Sequence, residues 1–301
     1  MGQSHSSSGA SSGAPSGVSV GTSGGSAISG AVTPVMMNNF HTFIQYTSAA
    51  WCNSDPLQMS TKISCSNNAC PDIETHDTHI VTTLESPERE SGGYIALDYT
   101  ARMIVVAFRG TSGSGDWMNN IKADLVGSDL CSGCKVHNGF QDTWSTVEQF
   151  VMAVVPGLRG NYPDYTVVTT GHSLGAALAT LSAAHLRQKT GIPVDSYLYG
   201  SPRIGNEEFV EFFNGLPGQT FRVTHWDDPV PRLPGHDLGY YHVDTEYWLS
   251  LGGAEKVDYR PEDVKVCQGK YNTDCNSGTQ FTNLDVEAHK WYFQQVGLCK
   301  P

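Results

Sequence analysis

Residues 167–185 read VVTTGHSLGAALATLSAAH and place a serine where it could act as a nucleophile. The β-branched residues before Gly171 favour a strand, and the alanine-rich residues after Gly175 favour a helix. Only five residues, GHSLG, join the two elements, so the turn must be sharp. Glycine suits such a turn because a side chain would collide with the strand or the helix. A serine at the apex of a strand–turn–helix is the arrangement of a nucleophile elbow, and Ser173 is the candidate nucleophile.

A serine hydroxyl needs a base, nearly always histidine, and a carboxylate that orients that base. In hydrolases with a nucleophile elbow, the order along the chain is serine, then acid, then histidine. The loop WDDPVPRLP, which follows the predicted strand TFRVTH, offers Asp227 and Asp228 as the acid. The residues alone leave the base open among three later histidines, which are His236, His242 and His289.

An ester-cleaving serine also needs two hydrogen-bond donors that face the negative charge of the tetrahedral intermediate. The backbone N–H of Leu174 is one candidate, because Leu174 directly follows the nucleophile. The second donor should come from a loop after a neighbouring strand. The stretch AFRGTSGSG at 107–115 supplies Thr111, which carries a hydroxyl as well as an N–H. Thr111 and Leu174 are therefore the predicted oxyanion hole.

The elements that must position these residues alternate between strand and helix along the chain. Apolar spacing predicts helices over 36–51, 141–155 and 206–213. Runs of β-branched and other apolar residues predict strands over 93–98, 102–110, 165–170, 194–200 and 220–225. This alternation predicts an α/β fold of the α/β-hydrolase type, a single domain with a mostly parallel central sheet and flanking helices. Active residues gather at the carboxyl ends of the strands in such sheets.

Composition separates a tail from the folded part of the chain. Residues 1–33 are rich in glycine and serine and lack the apolar material to order themselves, which predicts a flexible N-terminal tail. Residues 34–301 are enough for one large domain. The net charge of −12 argues against nucleic-acid binding, because no basic stripe could collect phosphates. No apolar run is long enough to predict a transmembrane segment.

The even number of cysteines, several in short local pairs, predicts disulfide bonds and an oxidising compartment. We therefore expect a secreted, extracellular protein, although the N-terminus shows no apolar signal-peptide core. That combination is explained if a signal peptide has been removed and Met1 was added as an initiator. Zinc would need a second ligand pair beside Cys131 and Cys134, and none stands out, so no metal is expected. The eight cysteines are Cys52, Cys65, Cys70, Cys131, Cys134, Cys267, Cys275 and Cys299.

Six motifs occur in a fixed order: FRGT, GHSLG, YGSPRIGN, RVTHWDDPVPRLP, EYW and AHKWYF. Together they resemble the filamentous-fungal triacylglycerol lipases, the class 3 lipase family, from about residue 36 to residue 300. Type A feruloyl esterases are close relatives of that family. The resemblance implies that Ser173 is the nucleophile, Asp228 the acid and His289 the base, with Thr111 as the first oxyanion donor. It also implies three disulfides, which are Cys52–Cys299, Cys65–Cys70 and Cys131–Cys134. The two cysteines that remain, Cys267 and Cys275, are then expected to pair with each other.

The resemblance also implies a lid, a short amphipathic helix that covers the active site in water and opens at a lipid surface. The matching segment is 112–125, in which Trp117, Met118 and Ile121 form an apolar strip. Glycines and serines at its start make it less helical and less apolar than a typical lipase lid. An ordinary polar surface loop is therefore the alternative, and interfacial activation stays open.

These observations predict a secreted serine carboxylic-ester hydrolase, a triacylglycerol lipase that acts as a monomer at a lipid–water interface without a cofactor. Feruloyl esterase and phospholipase A1 are the alternatives on the same scaffold. The sequence Gly175-Ala176 matches the feruloyl esterases, whereas the lipases often have Gly-Gly there. A catalytically silent binding module is the alternative outside enzymes. The filled triad and oxyanion positions argue against that alternative.

Overall fold

The computed structural model of the chain describes Met1 and residues 30–86, 91–111, 123–279 and 286–299. The strands are β1 (Thr78–Ser86), β2 (Ser91–Asp98), β3 (Met103–Arg109), β4 (Leu125–Gly127), β5 (Lys135–His137), β6 (Thr166–His172), β7 (Val194–Tyr199), β8 (Thr220–His225), β9 (Glu246–Leu249) and β10 (Val264–Cys267). The α-helices are α1 (Pro34–Ala49), α2 (Pro71–Thr75), α3 (Asn138–Asn161), α4 (Leu174–Thr190) and α5 (Glu207–Asn214). Short 3₁₀ turns occupy 56–58, 66–68, 230–232, 236–238, 261–263, 276–278 and 288–290.

Eight of these strands form one sheet in the order β1-β2-β3-β6-β7-β8-β9-β10. The centre, from β3 to β9, is parallel, whereas β1 and β2 at one edge and β10 at the other pair antiparallel with their neighbours. Residues 103–108 of β3 are all buried, as expected for a strand covered on both faces. The predicted α/β-hydrolase-type fold with a mostly parallel sheet is confirmed.

Helices cover both faces of the sheet and fix the position of its central strands. On one face, α3 and α4 contribute to a core that includes the fully buried Trp144. On the other face, α1 packs its aromatic side chains on β7 and β8. The ring of Phe43 stacks on Tyr197 at 3.9 Å, and Tyr197 stacks on Phe221 at 4.6 Å between ring centroids. The sheet is therefore held between two apolar layers, and β6 lies at its centre.

The predicted helices and strands are present, with two informative differences. The helix predicted to end before Pro156 continues as α3 to Asn161, because one missing N–H donor is tolerated where the helix packs on the core. The edge strands β1 and β10 and the neighbouring β9 were not predicted, since none of the three has a clear apolar period. The apolar lid residues Trp117, Met118 and Ile121 lie outside the described residues.

The eight cysteines form four disulfides: Cys52–Cys299, Cys65–Cys70, Cys131–Cys134 and Cys267–Cys275. The first three are the pairs that the resemblance implies, and the fourth joins the two remaining cysteines. The first joins the end of α1 to the last described residue of the chain. Within the described ranges, no helix is long and apolar enough to cross a membrane.

Candidate active site

Ser173 lies between the end of β6 and the start of α4, with φ +59° and ψ −127°. This unusual conformation is imposed by the closeness of strand and helix. A Cβ on Gly171 would lie 2.2 Å from the carbonyl oxygen of Gly175, and a Cβ on Gly175 would lie 2.4 Å from that of Phe108. Both positions therefore require glycine, for the steric reason that the sequence suggested. The serine is placed on a sharp turn at the carboxyl end of the central strand.

The hydroxyl of Ser173 is buried, with the residue only 2% exposed. Its Oγ makes no hydrogen bond to any described part of the chain, and the same holds for Nε2 of His289. The backbone N–H of Ser173 donates to Tyr199 at 3.0 Å, which ties the elbow to the neighbouring strand β7. A buried hydroxyl without a partner is costly in a folded protein and often marks a site that receives a ligand.

Asp228 and His289, which are distant in sequence, meet beside this turn. Nδ1 of His289 lies 2.8 Å from Oδ2 of Asp228. The same Oδ2 accepts a hydrogen bond from the hydroxyl of Tyr292, and Oδ1 accepts one from the N–H of Val230 at 2.9 Å. Asp228 thus has three donors, of which Tyr292 and Val230 were not expected from the sequence.

The electrostatics of this group favour an ionised Asp228. Complete burial by itself would raise the pKa of Asp228. The charge of His289 and the hydrogen bonds from His289, Tyr292 and Val230 outweigh burial and hold that pKa below its ordinary value. Burial and the negative charge of Asp228 raise the pKa of the Tyr292 phenol well above its usual value, so Tyr292 stays protonated and donates. The carboxylate can therefore orient His289 and stabilise its imidazolium form.

The other candidates that the sequence left open have different partners. Asp227 lies 3.4 Å from the guanidinium of Arg232. His236 bonds the carbonyl of Tyr240 through Nδ1 at 2.7 Å. His242 bonds the carbonyl of Pro231 through Nε2 at 2.5 Å. Of the two acids and three histidines, the structure brings only Asp228 and His289 into contact with each other.

Two buried histidines hold the backbone of the segment that carries His289. Nε2 of His172, at the end of β6, lies 2.7 Å from the carbonyl oxygen of His289. Nδ1 of His225, at the end of β8, lies 3.0 Å from the carbonyl oxygen of Ala288. Burial and the charge of His289 lower the pKa of His172 to about 3, so its neutral ring donates through Nε2–H. No sequence signal predicted this contact beyond the position of His172 next to Ser173.

The predicted oxyanion residues flank the elbow. A Cβ on Gly110 would lie 3.3 Å from Cβ of Ser173, which shows how closely the end of β3 approaches the serine. Thr111 follows directly, and its Oγ1 is buried without a hydrogen-bond partner in the described residues. Leu174 is the first residue of α4, so its N–H has no acceptor within the helix. Thr111 and Leu174 therefore both lie next to the elbow, and their role as an oxyanion hole stays a prediction.

The described ranges contain a single cluster of candidate metal ligands. The one group of three or more candidate ligands is Cys52, Cys65 and Cys299, whose sulfurs lie within 4.8 Å of one another. All three belong to disulfides and so offer no thiolate.

The sheet order and the serine elbow define an α/β-hydrolase-type protein. Residues 105–238 match the class 3 lipase family, and residues 21–81 match the lipase 3 N-terminal region. The chain is 40% identical over 270 residues to secreted mono- and diacylglycerol lipase 1 of Fusarium solani, an alignment that covers 90% of this chain and 80% of that protein. It is 37% identical over 267 residues to secreted mono- and diacylglycerol lipase A of Penicillium cyclopium, covering 88% and 87%.

Solved structures agree with these relatives. The crystal structure of mono- and diacylglycerol lipase from Aspergillus oryzae superposes with a TM-score of 0.82 at 33% identity, covering 88% of this chain and 98% of that one. The chain belongs to the class 3 lipase family, as its six motifs indicated, and it is a lipase, a hydrolase of carboxylic esters.

Proposed function

We propose that this protein is a secreted acylglycerol lipase in which Ser173, Asp228 and His289 form the catalytic triad. The observation that carries the proposal is the 2.8 Å contact between Asp228 and His289, together with a buried serine hydroxyl on the elbow that has no hydrogen-bond partner among the described residues. The serine lies on the strained turn that this chemistry uses to expose a nucleophile.

In the proposed reaction, His289 takes the proton of Ser173 through Nε2 as the serine oxygen attacks the ester carbonyl. The backbone N–H of Leu174 and the N–H and hydroxyl of Thr111 stabilise the oxyanion of the tetrahedral intermediate. His289 then gives its proton to the leaving alcohol, and an acyl-serine ester remains. A water molecule, deprotonated by the same nitrogen, releases the fatty acid and restores the serine. Asp228 orients the imidazole throughout.

The proposed substrates are acylglycerols. The sequence predicts triacylglycerol hydrolysis, and two relatives and one solved structure carry the name mono- and diacylglycerol lipase. We therefore propose that partial glycerides are hydrolysed as well as triacylglycerols. Feruloyl esters and the sn-1 ester of phospholipids are the competing substrates on this scaffold. The segment 112–125, with Trp117, Met118 and Ile121, stays a predicted lid.

Secretion and domain organisation are part of the same proposal. Four disulfides suit an oxidising compartment, and the relatives from Fusarium solani and Penicillium cyclopium are named as secreted. We propose that residues 34–301 form one lipase domain and that the N-terminal tail ends before Val32, earlier than the sequence predicted, because Val32 is buried in the core and the Thr33 side chain caps α1.

The test compares Ser173→Ala with Ser182→Ala. Ser182 is a buried serine of helix α4, the helix that follows Ser173, so its substitution controls for the loss of a buried hydroxyl. We expect Ser173→Ala to lower hydrolysis of emulsified mono-, di- and trioctanoylglycerol by about 10⁴-fold or more, and Ser182→Ala to retain it. Acylglycerol hydrolysis that survives Ser173→Ala would contradict the triad. Faster turnover of methyl ferulate or phosphatidylcholine than of every acylglycerol would contradict the proposal that acylglycerols are the substrates.

The lid is tested with the wild-type protein by following tributyrin hydrolysis through its solubility limit. A jump in rate when droplets form supports a lid at 112–125. A smooth saturating curve supports the polar-loop alternative.

A further inference from the structure

The backbone around Asp228 is held by a side chain from a separate segment. Asn276 is fully buried, and its Nδ2 lies 3.1 Å from the carbonyl oxygen of Trp226 and 3.1 Å from that of Asp228. A carboxamide has two N–H donors, and both are used by these two carbonyls. The opposite orientation of the amide would place its oxygen against two carbonyl oxygens, which is repulsive. The chemistry therefore fixes the amide in this orientation.

The loop that Asn276 contacts, which contains Trp226 and Asp228, has a constrained backbone conformation. Trp226 adopts φ +38°, an uncommon conformation for a residue with a side chain, and costs free energy unless its neighbours hold it. The indole N–H of Trp248 also donates to the carbonyl of Trp226, at 2.9 Å. Asn276 is the group that bonds both this strained residue and Asp228.

Asn276 is itself anchored from the other side. Its backbone N–H donates to Oε1 of Glu246 at 3.2 Å. Glu246 is buried and bonded to Arg222 at 2.9 Å and Thr224 at 2.7 Å, two residues of the strand that leads to Asp228. Burial alone would raise the pKa of Glu246, but Arg222 and the hydrogen bonds outweigh it and lower that pKa. The acceptor for Asn276 is thus a fixed, ionised carboxylate.

The disulfide Cys267–Cys275 ends one residue before Asn276. It ties this segment to the end of the edge strand β10, which pairs with β9, the strand of Glu246. A disulfide and a hydrogen bond therefore hold Asn276 in place. They attach it to strands β10 and β9 of the central sheet, and Asp228 follows another strand of the same sheet.

We propose that Asn276 is a positioning residue for Asp228: it fixes the carboxylate against His289 by holding the carbonyls of Trp226 and Asp228. The inference rests on the proposed role of Asp228 as the acid of the triad. Without the two hydrogen bonds from Asn276, the Asp228 carboxylate moves away from His289 and stabilises the imidazolium form less. The imidazolium that forms in the transition state is then stabilised less, and kcat falls more than KM rises.

The test uses two variants at this position and one control. Asn276→Leu keeps a similar side-chain volume and removes both donors without adding a charge, and Asn276→Ala removes most of the side chain. Asn272→Ala is the matched control, because Asn272 lies in the same segment and its side chain also donates to Glu246, at 3.2 Å. Its other side-chain hydrogen bond goes to the carbonyl of Gly269, away from the loop that contains Trp226 and Asp228. The substrate is a soluble p-nitrophenyl ester, and active enzyme is counted by titration of the reactive serine.

We expect both Asn276 variants to lower kcat by about tenfold with little change in KM. We also expect the acidic limb of their kcat/KM profile to move to lower pH by about half a unit, since the carboxylate's hold on the imidazolium is weakened. The position of that limb does not depend on how much of a variant is folded. The Asn272→Ala profile should match wild type. Asn276 variants with wild-type kcat and an unmoved limb would overturn the proposal, as would an equal effect of Asn272→Ala.

Asp228→Asn separates this inference from the function on which it rests. If Asp228→Asn has wild-type activity, the triad itself is wrong and the positioning role falls with it. If Asp228→Asn loses activity while the Asn276 variants keep theirs, only the positioning role is wrong. If Asn276 acts through Asp228, adding Asn276→Leu to Asp228→Asn should cost less than twofold, far from the product of the two single effects.

Discussion

At the scale of single residues, the carboxylate of Asp228 stays ionised inside the protein because three donors surround it. Tyr292 and His289 share Oδ2, whereas the N–H of Val230 reaches Oδ1. Each hydrogen bond to a charged group in such a setting is worth more than a neutral one. The phenol of Tyr292 is therefore expected to contribute to catalysis through Asp228, although it is not placed to touch the substrate ester.

Tyr292→Phe tests that contribution. Loss of the hydroxyl leaves Oδ2 with one donor fewer, so the carboxylate is less well oriented, and we expect kcat to fall about tenfold. Tyr199→Phe is the matched control, because its hydroxyl is also buried but donates to the carbonyl of Phe40, away from the site, at 2.7 Å. Steady-state kinetics on a soluble ester should show the loss in Tyr292→Phe alone. Equal kcat values in the two variants would contradict this role.

At the scale of elements, the strands that carry the nucleophile and the acid also hold the base. His172 ends β6 and His225 ends β8, and they bond the carbonyls of His289 and Ala288. The segment that contains His289 has no long helix or strand of its own, so its position depends on such contacts. The disulfide Cys52–Cys299 adds a covalent link between the end of α1 and the chain ten residues after His289.

Removing that disulfide should be far more costly than removing a local one. The bond joins residues 247 positions apart, whereas Cys131–Cys134 spans a separation of 3. Loop-closure entropy predicts a loss of about 5 kcal/mol in the free energy of unfolding for Cys52→Ala/Cys299→Ala and about 2 kcal/mol for Cys131→Ala/Cys134→Ala. Urea unfolding of both double variants under non-reducing conditions measures the difference. Equal losses would mean that the long link does not restrict the unfolded chain as expected.

At the scale of the whole molecule, burial of several histidines makes the fold sensitive to acid. Burial and the charge of His289 lower the pKa of His172 to about 3, and burial and the nearby Arg222 and Arg203 lower that of His242 well below its ordinary value. Unfolded histidine takes up its proton near pH 6.5. The stability that the neutral folded forms provide is therefore present above about pH 6.5 and is lost as the pH falls toward the folded values.

This linkage predicts that the free energy of unfolding falls by about 2 kcal/mol between about pH 6 and about pH 5, with His172 and His242 each contributing about one proton. His76 acts in the other direction because its hydrogen bond to Asp98 raises its pKa, but both of its states are largely protonated in this range. Urea titrations across the range measure the slope. His242→Asn should reduce it, and His79→Asn, at an exposed position, should not. A flat or rising stability toward acid would contradict the assignment.

The sequence by itself determined the fold class, the elbow and the family, because these depend on short-range patterns. The strand, turn and helix around Ser173 are contiguous, and the need for glycine at 171 follows from local geometry. The need for glycine at 175 comes from the close approach of Phe108 on β3. The choice between Asp227 and Asp228, and among three histidines, could not be made from spacing. It came from the family resemblance, and in the structure Asp228 and His289 are the pair in contact.

Tertiary structure alone decided the contacts that hold the candidate site. Tyr292, His172, His225 and Asn276 reach their partners across 48 to 117 positions of chain. Their hydrogen bonds depend on how the sheet orders its strands and where its edge loops return. The motifs contain His172, His225 and Tyr292 but do not show what these residues contact. A buried donor needs only one well-placed acceptor, and that acceptor is usually a backbone carbonyl, which every residue has.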